Sequence, residues 1–406
     1  MGLAFEWTGR DQLDRIAQAR WQCYGARGDE RESFHQRSAG GRWGDGDVCI
    51  ASDTGRDVGT ATSLSLHMHV RTLRIPCQGV AWVGTSKSHR RRSEGRGVAS
   101  QVMSAVVNKA RDREEVVSAL MPFRVSFYEH FGYGLIERQA IWTIPLSLLK
   151  SDLIGNYRFG DTSDSSAMLA CRARQSLTGQ CDVETTVPAL EEWFGSLASD
   201  TQLFVDEDAG QINGYTWLRT IIENDQAIAQ LVQPSWDGVE SLQKMLSFCA
   251  GLKDQYSSVR VALPPDLPVQ WLLRERQVPH RRIDHSAATC RMITRMQVRV
   301  LDHLRFFEGQ KLFADQNGSL IVSVRETEGH ESRFELTFNG RQLHAKTSAA
   351  TPHVTCRDIT WAAIACGELR ASTAAAMGLL EHSSPAAIRL LNALNEGLAP
   401  FCCEYF

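Results

Sequence analysis

The segment VGTSKSHRRRSEGRGVA, Val83 to Ala99, passes from a short apolar run through four arginines and two glycines into a helix-like pattern. Glycines let backbone N–H groups turn inward with no Cβ in the way, a helix N-terminus adds partial positive charge, and arginines add forked donors. A turn of this composition between a strand and a helix suits a pyrophosphate. Within it, Arg92, Gly95 and Gly97 fit R-x-x-G-x-G, with Arg90, Arg91 and Arg96 alongside. A dinucleotide fingerprint fits less well, because the third glycine of G-x-G-x-x-G is replaced by Ser100. The bland alternative is an exposed basic turn.

Working outward, the first segment alternates helix and strand signals. Helical spacing covers Asp11–Cys23, strands are expected at Asp47–Ser52, Val58–Met68 and Gly79–Thr85, and a helix at Gly97–Ala110. Val116–Leu120 reads as a strand, Phe123–Phe131 as a short helix and Ala140–Ile144 as a closing strand. The second segment repeats the rhythm with a hairpin around Gly210, a strand at Ala227–Val232, a helix at Trp236–Leu252 and a strand at Val259–Leu263. QPSWDGVES precedes that second long helix, so the basic cradle is missing there. The third segment opens with MQVRVLDHLRFFE, read as helix, and continues through strands at Leu320–Val324, Arg333–Phe338 and His353–Cys356. Helices are expected at Asp358–Cys366 and Pro385–Leu394. Its tail, APFCCEYF, is apolar and aromatic where chain ends are normally polar, which predicts burial of that end.

Composition bounds the function. The chain has 406 residues, 43% of them hydrophobic, which is enough for two or three domains with real cores. A net charge of -3 argues against a general nucleic-acid binder. No apolar run reaches the ~18 residues of a membrane span and the N-terminus has no signal-peptide pattern, so no membrane partner and a cytoplasmic location are expected. Eleven scattered cysteines without a C-x-x-C pair fit reduced thiols. His67 and His69 would share one strand face, but without partners at metal-ligand spacing they read as a wall and no metal is expected. Asp29, Glu30 and Glu32 read as solvated loop charges, with an amine pocket as the alternative.

A second signature is Ser118 to Gly134, SALMPFRVSFYEHFGYG, in which a strand ends at a proline and a short helix delivers Tyr128. Taken alone, Tyr128 and Tyr133 would be core aromatics. Together with the arginine turn, the Gly59-Thr60-Ala61-Thr62-Ser63 run and the terminal Phe406, they resemble the Eis (enhanced intracellular survival) family of GCN5-related N-acetyltransferases (GNAT). The resemblance covers the whole chain and implies a mixed α/β (α+β) fold. Its parts would be a catalytic GNAT domain over 1–149, a degenerate second GNAT domain over 150–292, and a sterol carrier protein-like domain over 293–406 that ends in the active site.

The resemblance also implies roles. Val83 and Thr85, with Gly84, would pair main chain with the pantetheine arm of acetyl-CoA, and Arg90, Arg91, Arg92, Gly95, Arg96, Gly97 and Val98 would hold its pyrophosphate. Phe123 would complete the cofactor site. Tyr128 would be the general acid and the carboxylate of Phe406 the general base or amine anchor. The acceptor would be a primary amine of a small molecule, aminoglycoside- or polyamine-like, and the assembly a homo-oligomer, a hexamer by family. Here Ser93 and Glu94 lengthen the family's H-R-R-R-G cradle. Glu94 either faces solvent and pairs with Arg96, or weakens coenzyme A binding, or favours another acyl group. Two competing readings are an acyltransferase with a different acyl-CoA or nucleophile, and a non-enzymatic protein carrying an apolar ligand.

Overall fold

The computed structural model describes residues 2–26, 28–90, 97–196, 200–277 and 286–406. It is mixed α/β and divides into two compact units: Met1–Ile136 with Met296–Gly397 and Tyr405–Phe406, and Glu137–Arg295 with Leu398–Glu404.

The sheet of the first unit uses β1 (Ala4–Thr8), β2 (Val48–Asp53), β3 (Arg56–Val70), β4 (Leu73–Thr85), β5 (Val117–Leu120) and β6 (Gly134–Leu135). Between β5 and β6 lies a strand from far along the chain, Gln297–Val300. Helices α1 (Leu13–Tyr24) and α2 (Arg31–Ala39) belong to one face, and α3 (Val98–Asp112) covers the other. The glycines show which face is which. A Cβ on Gly84 would meet Cys23 and Tyr24 of α1, whereas one on Gly59 would meet Val98 and Val102 of α3. The stripe Val98, Val102, Val106 and Ala110 is buried, as its helical period requires. A short helix, α4 (Val125–Glu129), carries Tyr128 after β5.

The rest of the first unit is a four-stranded sheet ordered Glu331–Thr347, Lys311–Arg325, Val354–Arg357, Leu380–His382. Helices at Asp358–Ala365 and Pro385–Asn392 fall where the sequence places them. Phe306, Phe307, Phe334 and Trp361 are fully or nearly fully buried, and successive ring centroids lie 4.9 to 6.2 Å apart.

In the second unit the hairpin Thr201–Asp208 and Gln211–Glu223 turns at Gly210, whose φ of 82° suits glycine. Gln226–Trp236, the helix Gly238–Ala250 and the strand Ser258–Leu263 follow, the last two strands pairing in parallel.

Two elements differ from the sequence reading. MQVRVLDHLRFFE is not one helix: Gln297–Val300 is a fully buried strand, and only His303–Phe307 is helical. Asp302 marks the break, its side chain accepting from the N–H groups of Leu304 and Arg305 as an N-cap. The strand Arg138–Pro145, which contains the expected Ala140–Ile144, pairs with Ser258–Leu263 and Thr289–Thr294 in the second unit's sheet and does not close the first. Alternation identifies a strand, but its partner is a non-local choice that local pattern does not encode.

Candidate active site

β4 and β5 run parallel but pair only from Cys77 opposite Val117 to Val80 opposite Leu120. Beyond Val80, β4 carries a bulge. Its register with β3 shifts between Thr60 and Thr62, and Trp82 takes a φ of 53°. A bulge bends its strand and increases local twist. β4 therefore continues from Ala81 to Thr85 paired to β3 but with no ladder to β5, so the main-chain groups on its β5 side are left to another partner.

Val83 packs against the α3-side core, and Thr85, opposite Gly59, shares that face. The Thr85 hydroxyl is buried without a hydrogen-bond partner among the described residues. Gly97 occupies the N-cap of α3, where it has no side chain to cap the first turn, and Val98 begins the helix. The leading N–H groups of a helix have no intrahelical partner, so α3 offers donors and positive potential at this end. Arg90 folds back over the end of β4, its Nε donating to the Thr85 carbonyl at 3.3 Å and its Nη2 to the Cys23 carbonyl at 3.0 Å. Arg91, Arg92, Gly95 and Arg96, together with Ser93 and Glu94, lie outside the described residues.

Tyr128 is 4% exposed and belongs to the same apolar cluster as Val80, Val98 and Leu120. Its ring lies 5.6 Å from that of Phe123, which is largely exposed, and 4.9 Å from that of Phe127. Burial, reinforced by the neighbouring Tyr133, pushes its phenol well above the ordinary tyrosine range. Tyr128 therefore keeps its proton at neutral pH. Behind it runs a buried polar chain. The Tyr133 and Ser118 hydroxyls are 2.7 Å apart, Ser118 donates to Gln78 Oε1 at 2.6 Å, and Gln78 Nε2 donates to Ser63 Oγ and the Val106 carbonyl. Burial pushes the Tyr133 phenol up to about 12 against the Ser118 hydrogen bond.

Phe406 approaches β4 from the opposite face. A Cβ on Gly79 would stand 3.0 and 3.3 Å from the Phe406 ring and 2.5 Å from Leu66 Cδ1. Gly79 precedes Val80, the last residue of β4 paired to β5, so the Phe406 ring rests where the two strands part, and Val80 shares its apolar cluster with Tyr128. The face that holds Phe406 also carries stacked cations and aromatics. Buried Arg20 donates to Ser38 and Thr62, and its guanidinium lies 4.6 Å from the Trp82 ring centroid. Arg37 lies 4.1 Å over Phe34, and the Tyr24 and Trp82 rings are 5.4 Å apart, edge to face. Asp29, Glu30 and Glu32 are exposed. His69 is buried on β3, and among the described residues no group of three or more His, Cys, Asp or Glu could hold a metal ion.

Sequence reasoning missed the Gln78–Ser118–Tyr133 chain, the Trp82 bulge and the inserted strand Gln297–Val300. Only the last had a local signal, the alternation of Val298 and Val300 with polar neighbours.

Residues 8–136 match the model of an acetyltransferase (GNAT) domain. A GCN5-related N-acetyltransferase from Anabaena variabilis has a similar structure, with a TM-score of 0.85, 14% identity and full coverage of both chains. Eis1 from Mycobacterium abscessus aligns over the whole of both chains with a TM-score of 0.81 and 16% identity. A GCN5-related N-acetyltransferase from Kribbella flavida gives 0.77 at 18% identity, covering 100% of this chain and 98% of its own. No curated protein sequence matches the chain. Among the described residues no helix is long and apolar enough to cross a membrane. Residues 8–136 thus match an acetyltransferase (GNAT) domain, and the whole chain shares its fold with the solved structures.

Proposed function

We propose that the protein moves an acetyl group from acetyl-CoA to a primary amine of a small molecule, aminoglycoside- or polyamine-like. The observation that carries this reading is the stretch Ala81–Thr85, laddered to β3 but not to β5, beside the glycine N-cap of α3, with a buried Thr85 hydroxyl that has no hydrogen-bond partner among the described residues. These groups fit an extended amide-bearing arm that ends in phosphates. Val83, Gly84 and Thr85 would bind the arm. Gly97, Val98 and Arg90, with Arg91, Arg92, Gly95 and Arg96, would bind the diphosphate, and Phe123 would flank the site.

Acetyl transfer needs a neutral amine, a polarised carbonyl and a proton for the leaving sulfur. The amine nitrogen forms a bond to the acetyl carbon as the carbon–sulfur bond breaks, one proton leaves nitrogen and one reaches sulfur. Tyr128, held protonated by burial, is the proposed donor. The Phe406 carboxylate, whose ring rests at Gly79, is the proposed acceptor of the amine proton. The same reading takes the segment after 293 as sterol carrier protein-like and the assembly as a cytoplasmic homo-oligomer, hexameric by family, which sedimentation velocity measures directly.

The test is calorimetry with coenzyme A, followed by thiol release from acetyl-CoA over a panel of amines. Tyr128→Phe should bind coenzyme A normally and lose about 100-fold in kcat, the usual contribution of a general acid. Undiminished turnover in that variant removes the acid role. Failure to bind coenzyme A at millimolar concentration removes the reading altogether.

A further inference from the structure

The helix that delivers Tyr128 is gripped by a strand encoded some 170 residues later. Gln297–Val300 lies between β5 and β6, with Gln297 opposite Leu120 and Arg299 opposite Ser118. Directly opposed residues on paired strands share a face. Both side chains therefore lie on the same sheet face as Leu120, Tyr128 and Tyr133. Gln297 Nε2 donates to the Tyr133 carbonyl at 2.9 Å and to the Val125 carbonyl at 3.4 Å. Arg299 Nη1 donates to the Phe131 carbonyl at 3.0 Å, and its Nη2 pairs with Glu328 Oε2 at 2.7 Å. The carbonyl of Tyr128 itself accepts from the N–H groups of Phe131 and Tyr133, so the fastened residues flank the phenol's own turn.

The surroundings leave that turn little freedom. Gly132 has a φ of 78°, and a Cβ there would lie 2.5 Å from the Asp358 carboxylate and 3.3 Å from Arg299 Nε. At Gly134 a Cβ would lie 2.0 Å from the Ile359 carbonyl oxygen. A strand built only for stability would not need Gln and Arg here. Gln297 is fully buried and Arg299 is 3% exposed, while Gln297 Oε1 and Arg299 Nε have no partner among the described residues. Apolar β-branched residues would fill the same positions without that desolvation cost.

We infer that Gln297 and Arg299 are positioning residues for Tyr128, holding the α4 turn so that the phenol stays at the parting of β4 and β5. The inference rests on the proposed role of Tyr128 as proton donor. Gln297→Met keeps the volume and removes the donor; Arg299→Met removes the carbonyl clamp. A shift of about 1 Å at a reacting group costs up to ~100-fold in rate, so each variant should lower kcat about tenfold. The KM for acetyl-CoA should stay within about twofold, because the groups that would bind the cofactor are untouched.

A double-mutant cycle separates positioning from general damage. In a Tyr128→Phe background, Gln297→Met should lower kcat by less than about twofold, since the phenol through which it acts is gone. An equal loss in both backgrounds, or a raised KM with unchanged kcat, overturns the inference. If Arg299→Met does not fold, the Gln297→Met cycle decides alone, with Gln297→Glu as a second replacement of similar volume. Unchanged turnover in Tyr128→Phe alone overturns the donor role and this inference with it, whereas a large loss there combined with an additive cycle overturns only the positioning.

Discussion

At the residue scale, Gly79 is the informative position. Its missing side chain leaves room for the Phe406 ring, and the nearest atoms to an added Cβ are ends of side chains: Leu66 Cδ1 at 2.5 Å and Phe406 Cδ2 at 3.0 Å. Gly79→Ala should therefore fold, because these ends can yield, while the Phe406 ring is pushed away from β4. Turnover should fall about tenfold as the carboxylate leaves its place, with the melting temperature nearly unchanged. Steady-state kinetics beside thermal unfolding checks this, and a fully active, stable variant would deny Phe406 any part in the reaction. The sequence predicts a buried end, and Phe401 to Glu404 are buried, whereas Tyr405 is exposed and the half-buried Phe406 ring rests on Gly79 in the first unit. Gly79 itself was illegible, since a glycine in a strand pattern does not say which distant ring fills the space above it.

At the scale of elements, legibility followed locality. α3 and β3 repeat their apolar residues at the period of their own backbone and were readable directly, whereas the Trp82 bulge breaks that period at the end of β4. Gln297–Val300 and Arg138–Pro145 depend on which sheet accepts them, and that is decided by partners more than 100 residues away. The inserted strand is tied down by an ionic knot, Glu328 accepting from Arg299 and Arg111, each at 2.7 Å. Burial raises the Glu328 carboxyl, but the hydrogen bonds from Arg111 and Arg299 outweigh it and hold the group at about 2. A carboxyl depressed in the folded state adds stability above its unfolded pKa and loses it as pH falls toward the folded value. The knot should therefore weaken between about pH 4.5 and pH 2. Because Glu328 is 37% exposed, salt should shrink the effect. Melting temperatures of wild type and Glu328→Gln from pH 5 to pH 2.5, at low and high salt, test it. The variant should show the shallower acid slope, and identical slopes would mean that the knot contributes nothing.

At the scale of the whole molecule, Phe401 to Glu404 are buried and held by a main-chain hydrogen-bond array. Within the second unit, the Phe401 N–H donates to the Gln180 carbonyl, Cys402 N–H to Glu137 Oε1 at 2.8 Å, and Cys403 N–H to Asp182 Oδ1 at 3.2 Å. The Cys402 carbonyl accepts from Gln139 and Arg295, and the Glu404 carbonyl from Arg295. Glu137 at the centre of this array is fully buried, and burial pushes its carboxyl up to about 7 despite the pull of Arg295 and the Cys402 N–H. A carboxyl raised in the folded state binds more protons there than in the unfolded chain between about pH 4.5 and pH 7. Stability from this group is therefore greatest in acid and declines as pH rises through 7. Glu137→Gln keeps an oxygen to accept from Cys402 and removes the titration. Its melting temperature should stay level from pH 5 to pH 8 where the wild type declines, so that the variant is the more stable protein at pH 8. Thermal unfolding of both proteins across that range decides the matter: parallel declines would mean that Glu137 is ionised in the fold throughout, and that the tail is held by a charge and not by a buried neutral acid.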